Sequence, residues 1–278
     1  MRLIENEKFD EERALYGVSS VHLINCTFDG EADGESALKE SKEIKTEKCL
    51  FNLRYPFWHD TVVDIVDCEM TSFCRAALWY SNKITLKNSK LHGIKALREC
   101  SDVFIENSDI NSAEFGWFSK NIQLKKSKAI GEYFMLRAED LDFKDVEFTG
   151  KYSFQYVKNA TFENCVFDTK DAFWHASNVY VKNCVVKGEY LAWYSENITF
   201  ENCIISGTQP LCYCKGLKLI NCEMNDADLS FELSCVDATI MSPIISIKNP
   251  LEGKICVPSV GEIIKDDINS TCEICICS

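Results

Sequence analysis

The chain has 278 residues, of which 46% are hydrophobic and 26% are charged, so its composition favours a folded protein with a buried core over a disordered chain. The net charge of -13 disfavours nucleic acid or an anionic membrane as a partner of the whole surface. No apolar run approaches transmembrane length, and the first residues lack the apolar segment of a secretory signal. We therefore expect a cytoplasmic protein.

A small residue recurs about every 19 residues along most of the chain, usually after an Asn, Asp or Lys. A long internal repeat of this kind predicts a solenoid of equivalent coils. We expect a single domain, 1–278, in which residues 12–249 form about 12 coils and residues 1–11 and 250–278 cap the two ends. The recurring residues are Cys26, Cys49, Cys68, Ser89, Ser108, Ser127, Val146, Cys165, Cys184, Cys203, Cys222 and Met241.

Within one coil, two apolar pairs alternate with polar residues and are separated by a two-residue step. Ile84 and Leu86, followed by Ser89 and Leu91, are an example. This pattern is typical of two short strands joined by a corner. Asn and Asp suit such corners because they tolerate left-handed backbone. The predicted corner residues are Asn88, Asn107, Asp145, Asn164, Asn183, Asn202 and Asn221, with a second set at Asp102, Asn121, Asp140, Asn159, Asn178, Asn197 and Gly216.

Glycines predict the third corner, because glycine supplies positive φ without steric cost. They are Gly93, Gly131, Gly150, Gly188 and Gly207. Three strands and three corners per repeat predict an all-β, single-stranded parallel β-helix. Left-handed helices built of hexapeptides keep a strict and shorter period, so the repeat favours a right-handed helix.

Two departures from the period predict loops. The interval from Cys26 to Cys49 is four residues too long, with the excess at residues 30–34, and the interval from Cys68 to Ser89 is two residues too long, near Phe73.

Seven of the 16 cysteines lie in the repeat column. In parallel coils their Cβ atoms would be about 4.8 Å apart, whereas a disulfide needs convergent Cβ atoms about 3.8 Å apart. We therefore expect stacked, reduced core residues.

Longer motifs carry a family resemblance. FDEERALYG near the start, GESALKES after the first loop, and the recurring ALWYSN, AFWHASN and LAWYSEN resemble a bacterial and archaeal domain-of-unknown-function family. The resemblance covers nearly the whole chain. It implies a right-handed parallel β-helix and no established activity, so it assigns no catalytic residue.

The longest side of each coil carries all five tryptophans in one column, with tyrosines, histidines and charges beside them. Such a face favours carbohydrate binding, because flat rings suit sugar faces and charged groups suit hydroxyls. The alternative is a non-enzymatic structural or protein-interaction scaffold in which the rings stabilise the coils. The candidate ligand-binding residues are Trp58, Trp79, Tyr80, Arg98, Trp117, Tyr156, Trp174, His175, Trp193 and Tyr194.

Charges interrupt this face near its middle. Arg98 lies between Trp79 and Trp117 in its column, where a cation–π sandwich is expected. Glu99 and Glu114 could form the acid/base pair of a glycoside hydrolase, and Arg137 could hold a sugar carboxylate in a polysaccharide lyase. Such charge pairs are more often structural, so the sequence leaves open whether the protein is an enzyme.

Cys272, Cys275 and Cys277 have C-x-x-C-x-C spacing, which could bind zinc or iron with a fourth ligand such as Cys256. Alternating Cys and Ile is equally typical of an ordinary buried strand, so we expect no metal and no cofactor. The aromatic face predicts a glycan ligand, and the sequence does not indicate an oligomeric state.

Overall fold

The computed structural model describes residues 1–31 and 34–277, and within these ranges no helix is long and apolar enough to span a membrane. The chain is an all-β parallel β-solenoid of about 14 turns with a spacing close to 19 residues. The expected 12 turns are too few, because strands of the same kind also form before residue 12 and after residue 249. The chain divides into two compact units, unit 1 (Met1–Asp142) and unit 2 (Phe143–Ser278).

The strands that begin in unit 1 are β1 (Arg2–Glu5), β2 (Lys8–Phe9), β3 (Ser19–Ile24), β4 (Thr27–Phe28), β5 (Lys42–Glu47), β6 (Leu50–Phe51), β7 (Phe57–Trp58), β8 (Thr61–Val66), β9 (Glu69–Met70), β10 (Leu78–Trp79), β11 (Asn82–Lys87), β12 (Lys90–Leu91), β13 (Leu97–Arg98), β14 (Ser101–Glu106), β15 (Asp109–Asn111), β16 (Lys120–Lys125), β17 (Lys128–Glu132) and β18 (Glu139–Lys144). A short 3-10 helix, Ser72–Cys74, lies between β9 and β10.

The strands of unit 2 are β19 (Glu147–Lys151), β20 (Lys158–Glu163), β21 (Val166–Lys170), β22 (Ser177–Lys182), β23 (Val185–Lys187), β24 (Glu196–Glu201), β25 (Ile204–Ser206), β26 (Leu217–Asn225), β27 (Cys235–Ile240), β28 (Ile244–Lys248), β29 (Glu252–Val257), β30 (Val260–Ile264) and β31 (Glu273–Ile276).

Each coil of unit 1 has three sides. The first side is a six-residue strand, such as β11 or β14, and the second is a shorter strand, such as β12 or β15. The third side is a two-residue strand in β7, β10 and β13. Every strand pairs in parallel with the equivalent strand one coil on, so Ile84 pairs with Val103 and Leu78 with Leu97. Inward residues such as Ile84 and Leu86 are fully buried and form the core.

Unit 2 follows the same plan on its first and second sides, where Val179 pairs with Ile198 and Val186 with Ile205. The third side differs, because its backbone turns through alternating left-handed residues. Tyr190, Ala192 and Tyr194 have φ of 57°, 59° and 60°.

The asparagine corners are confirmed. Asn164, Asn183 and Asn202 have φ between 51° and 54°, and they lie one above another. The side-chain nitrogen of Asn183 donates to the side-chain oxygen of Asn164 at 3.4 Å, and Asn202 donates to Asn183 at 3.4 Å. In unit 1, Asn107 donates to Asn88 at 2.8 Å. The side chains therefore form ladders along the corners.

The prediction that the third corner is formed by glycines with positive φ is wrong. Of the five glycines, only Gly188 and Gly207 have positive φ, at 145° and 130°. Glycine is required instead for close backbone approach between coils. A Cβ atom added to Gly131 would lie 2.3 Å from the carbonyl oxygen of Ser112, which no side chain tolerates. The third left-handed corner lies elsewhere, as described below.

The stacked cysteine column is confirmed, and its seven members are buried and free. The structure also gives a reason for Cys or Ser at these positions. A corner amide points inward, and the side chain of the next coil accepts its hydrogen bond. Cys165 N donates to Cys184 Sγ at 3.3 Å, and Ser89 N donates to Ser108 Oγ at 3.2 Å. A side-chain hydrogen bond to the Cys165 thiol, together with burial, raises the pKa of the Cys184 thiol to about 12, although the backbone bond from Cys165 N acts in the opposite direction, so the thiol stays protonated.

The extra pair of residues expected near Phe73 is confirmed as the 3-10 helix Ser72–Cys74. Ser72 and Phe73 are exposed while Cys74 is buried, so the insertion bulges outward. The register is unaffected, since Glu69 before it and Lys90 after it still pair. For the other loop, Ala32 and Asp33 lie outside the described residues. The single domain and the right-handed sense stay predictions.

Candidate functional site

The third side ends at a left-handed corner occupied by large residues, which we call the corner row. His59, Tyr80, His175 and Tyr194 have φ between 54° and 61°, which is uncommon for side chains of this size. The next residue turns inward and serves the same purpose as the core cysteines. The Oγ of Ser81, for example, accepts a hydrogen bond from Asp60 N at 3.0 Å.

In unit 2 the corner row is a continuous ring stack formed by Tyr156, His175, Tyr194 and Tyr213. Neighbouring ring centroids are 4.8, 5.1 and 4.8 Å apart, and the rings are within 11° of parallel. Tyr156 and Tyr194 are 37% and 45% exposed. Because each ring covers the face of the next, the stack presents ring edges, phenol hydroxyls and an imidazole to solvent.

The tryptophan column, or indole row, lies behind the corner row. In unit 2, Trp174 and Trp193 stack at 5.4 Å with 4° between their planes. Their indole nitrogens donate to the carbonyl oxygens of Tyr190 and Gln209, at 2.7 and 2.8 Å. These hydrogen bonds connect each coil to the next coil's turn, and the sequence analysis did not anticipate them.

In unit 1 the indole row has two forms. Trp117 follows the left-handed Gly116, with φ 78°, and donates to Tyr133 O at 2.8 Å, as the tryptophans of unit 2 do. Trp58 and Trp79 instead belong to the extended strands β7 and β10. Their rings stack at 5.2 Å. Their indole nitrogens are buried and have no hydrogen-bond partner among the described residues.

Charged side chains occupy the coil before Trp58 and the coil between Trp79 and Trp117. The Nζ of Lys39 lies 4.0 Å from the ring centroid of Trp58. The guanidinium carbon of Arg98 lies 5.3 Å from the ring of Trp117 and 5.9 Å from that of Phe118. Arg98 therefore contacts Trp117 as predicted, and the second ring that it contacts is Phe118, where the sequence suggested Trp79.

The carboxylate candidates are gathered around Arg98. Its Nε lies 3.1 Å from Glu99, and its terminal nitrogen lies 4.0 Å from Glu114. The Nζ of Lys95 lies 3.4 Å from the same oxygen of Glu114. Both carboxylates are thus in ion pairs, an arrangement that balances charge. Arg137 is exposed in the corner row, two coils beyond Glu99. A catalytic role for these residues stays a prediction.

The ten ligand-binding candidates all lie on the third side, in the indole row or the corner row. The five tryptophans are half-buried, as is Arg98, whereas Tyr80, Tyr156, His175 and Tyr194 are exposed. The outward-facing surface of this side is therefore the corner row.

The C-terminal cysteines lie apart from this side. Cys272 is buried, whereas Cys275 is half-buried beside Cys256 and Cys277 is exposed. Across residues 1–31 and 34–277, no three His, Cys, Asp or Glu side chains are arranged to hold a metal ion.

Comparison with solved structures returns β-helical proteins. The Streptococcus pneumoniae surface protein and adhesin PfbA is 10% identical, with a TM-score of 0.43 over 93% of this chain and 91% of that one. Tailspike protein 3 of bacteriophage CBA120 is 9% identical, with a TM-score of 0.29 over 99% of this chain and 51% of that one. Likenesses this weak carry no argument about function.

No curated protein matches the chain. One family matches nearly all of it, over residues 2–277, in agreement with the resemblance seen in the motifs. The chain therefore belongs to the family described as protein of unknown function (DUF3737).

Proposed function

We propose that the protein binds carbohydrate without processing it, and that the ring stack of unit 2 is its contact surface. The observation that carries this proposal is the regular row of exposed Tyr156, His175 and Tyr194, continued by half-buried Tyr213, with rings 4.8 to 5.1 Å apart. It presents hydrogen-bonding groups at a constant interval along the solenoid.

The geometry supports binding by ring edges and hydroxyls. The faces of the inner rings are covered by their neighbours, so a sugar cannot stack on His175 or Tyr194 as the sequence analysis expected. A phenol hydroxyl both donates and accepts a hydrogen bond, and so does a neutral imidazole through its two nitrogens. An extended polyhydroxylated chain offers complementary groups along its length.

Preorganisation supports the same proposal. Each ring is held by its neighbours and by a left-handed backbone, so little side-chain entropy remains to be lost on binding. The rival function, a scaffold with a stabilising ring ladder, uses the same stack, since each ring pair contributes about 0.5–1.5 kcal/mol. Removing a hydroxyl group distinguishes glycan binding from a purely structural role, because ring stacking does not depend on the hydroxyl.

Tyr194→Phe tests the proposal on a glycan array and by calorimetry. The variant keeps the ring and removes one exposed hydroxyl. We expect the affinity for an array-positive glycan to fall about fivefold, the value of one hydrogen bond, with an unchanged melting temperature. Replacing Tyr156 as well should lower the affinity further.

The matched control is Tyr180→Phe, which removes a hydroxyl from the first side of unit 2, where it bonds to Glu201. This variant should bind glycans like the wild type. A wild type that binds no glycan, or a Tyr194→Phe variant that binds as tightly as the wild type, contradicts the proposal.

A further inference from the structure

The third side of unit 1 holds four buried polar atoms that make no hydrogen bond within the described part of the chain. One is an oxygen of Asp60 at the corner, and the other three are the indole nitrogens of Trp58 and Trp79 and one carboxylate oxygen of Glu114. Leaving a buried polar group unsatisfied costs about 1–3 kcal/mol, so proteins rarely keep several together without a partner for them.

The backbone explains why these two indoles differ from the other three. Trp117, Trp174 and Trp193 each follow a left-handed residue and reach a carbonyl oxygen of the next coil. Trp58 and Trp79 follow residues in extended strands. Tyr55 packs against both of their rings, at 6.0 and 6.3 Å.

The indole nitrogens and the Glu114 oxygen are spread over four coils. Trp79 pairs in register with Trp58 on one side and with Arg98 on the other. Arg98 in turn lies 4.0 Å from Glu114, whose unsatisfied oxygen also lies 3.4 Å from Lys95. The two indole N–H donors are therefore on neighbouring coils of this side, and the carboxylate acceptor lies two coils beyond Trp79, about 10 Å along the solenoid.

We propose that these atoms form a subsite for an uncharged oligosaccharide that runs along the solenoid across these coils. The indole N–H groups of Trp58 and Trp79 donate to ligand hydroxyl oxygens, and Glu114 accepts a ligand O–H. The proposal rests on the carbohydrate-binding function and adds a second surface, in unit 1, with a defined ligand class.

Charge selects a neutral ligand. Lys95 and Arg98 already pair with Glu114 and Glu99, so an anion would meet two carboxylates. A cation would meet two N–H donors together with Lys39, Lys95 and Arg98. A hydroxyl is the group that satisfies a donor and an acceptor at once.

The five indole N–H signals in a 15N–1H spectrum test the subsite directly, once assigned with single Trp→Phe variants. The probes are maltotriose, cellotriose, laminaritriose and xylotriose, added to about 10 mM so that even a site with millimolar affinity is filled. We expect at least one of them to shift the signals of Trp58 and Trp79 and to leave that of Trp174 in place.

Trp193 reports on the ring stack of unit 2, because its ring lies 5.3 Å from Tyr213 and 6.3 Å from Tyr194. A shift of Trp193 alone would overturn the subsite and support the proposed function. No shift of Trp58 or Trp79 with any probe overturns the subsite, whatever the glycan array shows.

Two variants and a control complete the test. Trp79→Phe removes one donor and keeps a ring, and Glu114→Gln removes the charge and keeps the size. Each variant should bind the responding trisaccharide with about tenfold lower affinity. Trp174→Phe, whose N–H already bonds to Tyr190, should bind normally. Unchanged affinity in both subsite variants, with their other indole signals in place, would overturn the proposal.

Discussion

The third sides of the two units use the same columns of the repeat in different ways. In unit 2, rings stack on rings, and each indole N–H bonds to a carbonyl of the next coil. In unit 1, Lys39 and Arg98 lie on either side of Trp58 and Trp79, and the N–H groups of these two indoles have no hydrogen-bond partner within residues 1–31 and 34–277. The stacked pair of unit 2 satisfies its own polar groups, whereas the interrupted column of unit 1 leaves some of them without a partner among the described residues.

The largest expected effect comes from breaking the stacked pair of unit 2. Trp174→Ala removes a ring stacked on Trp193 and a hydrogen bond to Tyr190, so the free energy of unfolding should fall by about 3 kcal/mol. Urea denaturation measures this change. Trp174→Phe, which keeps a ring, should cost about 1 kcal/mol. Equal losses for the two variants would show that the stack contributes little.

A second prediction concerns Asp60, a carboxyl that lies fully buried at the third-side corner of unit 1. Burial raises its pKa to about 8, whereas an unfolded Asp titrates at about 3.9. The folded state therefore binds more protons than the unfolded state between these values. Its contribution to stability is complete below pH 4 and is lost as the pH rises to about 8.

Asp60→Asn should remove this dependence and leave the variant about 2 kcal/mol more stable than the wild type at pH 9, with little difference at pH 4. Asn keeps an oxygen that can accept the hydrogen bond from Ser41 N, which is 2.8 Å long. Urea melts at both pH values measure the difference. Parallel pH profiles for the two proteins would contradict the assignment.

The smallest expected effect concerns Arg98 and tests the difference in charge between the third sides of the two units. Arg98→Met should cost about 1 kcal/mol in low salt, because it leaves Glu99 and Glu114 less well compensated, and the loss should shrink in high salt. Trp174→Phe in unit 2 should show no such salt dependence. Thermal melts at two salt concentrations provide the measurement, and a salt-independent loss would indicate that Arg98 acts through packing.

The parts of the fold that depend on residue type alone could be predicted from the sequence. Asn183 lies between Asn164 and Asn202 as expected, because left-handed corners select Asn. Cys184 lies in the core as expected, because a small apolar residue recurs there.

The third corner could not be located in the same way, because Tyr80 and Tyr194 are unusual at positive φ. A signal for it was present in the inward residues that follow, such as Ser81, Cys100 and Ser195, which mirror the Asn-Ser and Asn-Cys steps. The orientation of each indole could not be read either, since it depends on whether the preceding residue is extended or left-handed.

The bulge at Ser72–Cys74 has a consequence for how such chains tolerate change. Each turn closes on its predecessor through its own amide bonds, so surplus length is absorbed where it arises and the phase of later turns is restored. A fixed repeat length counted along the sequence loses register after such an insertion, whereas the pairing of the strands keeps it. Length variation within one turn is therefore compatible with unchanged neighbours, which lets a single face be remodelled without rebuilding the rest.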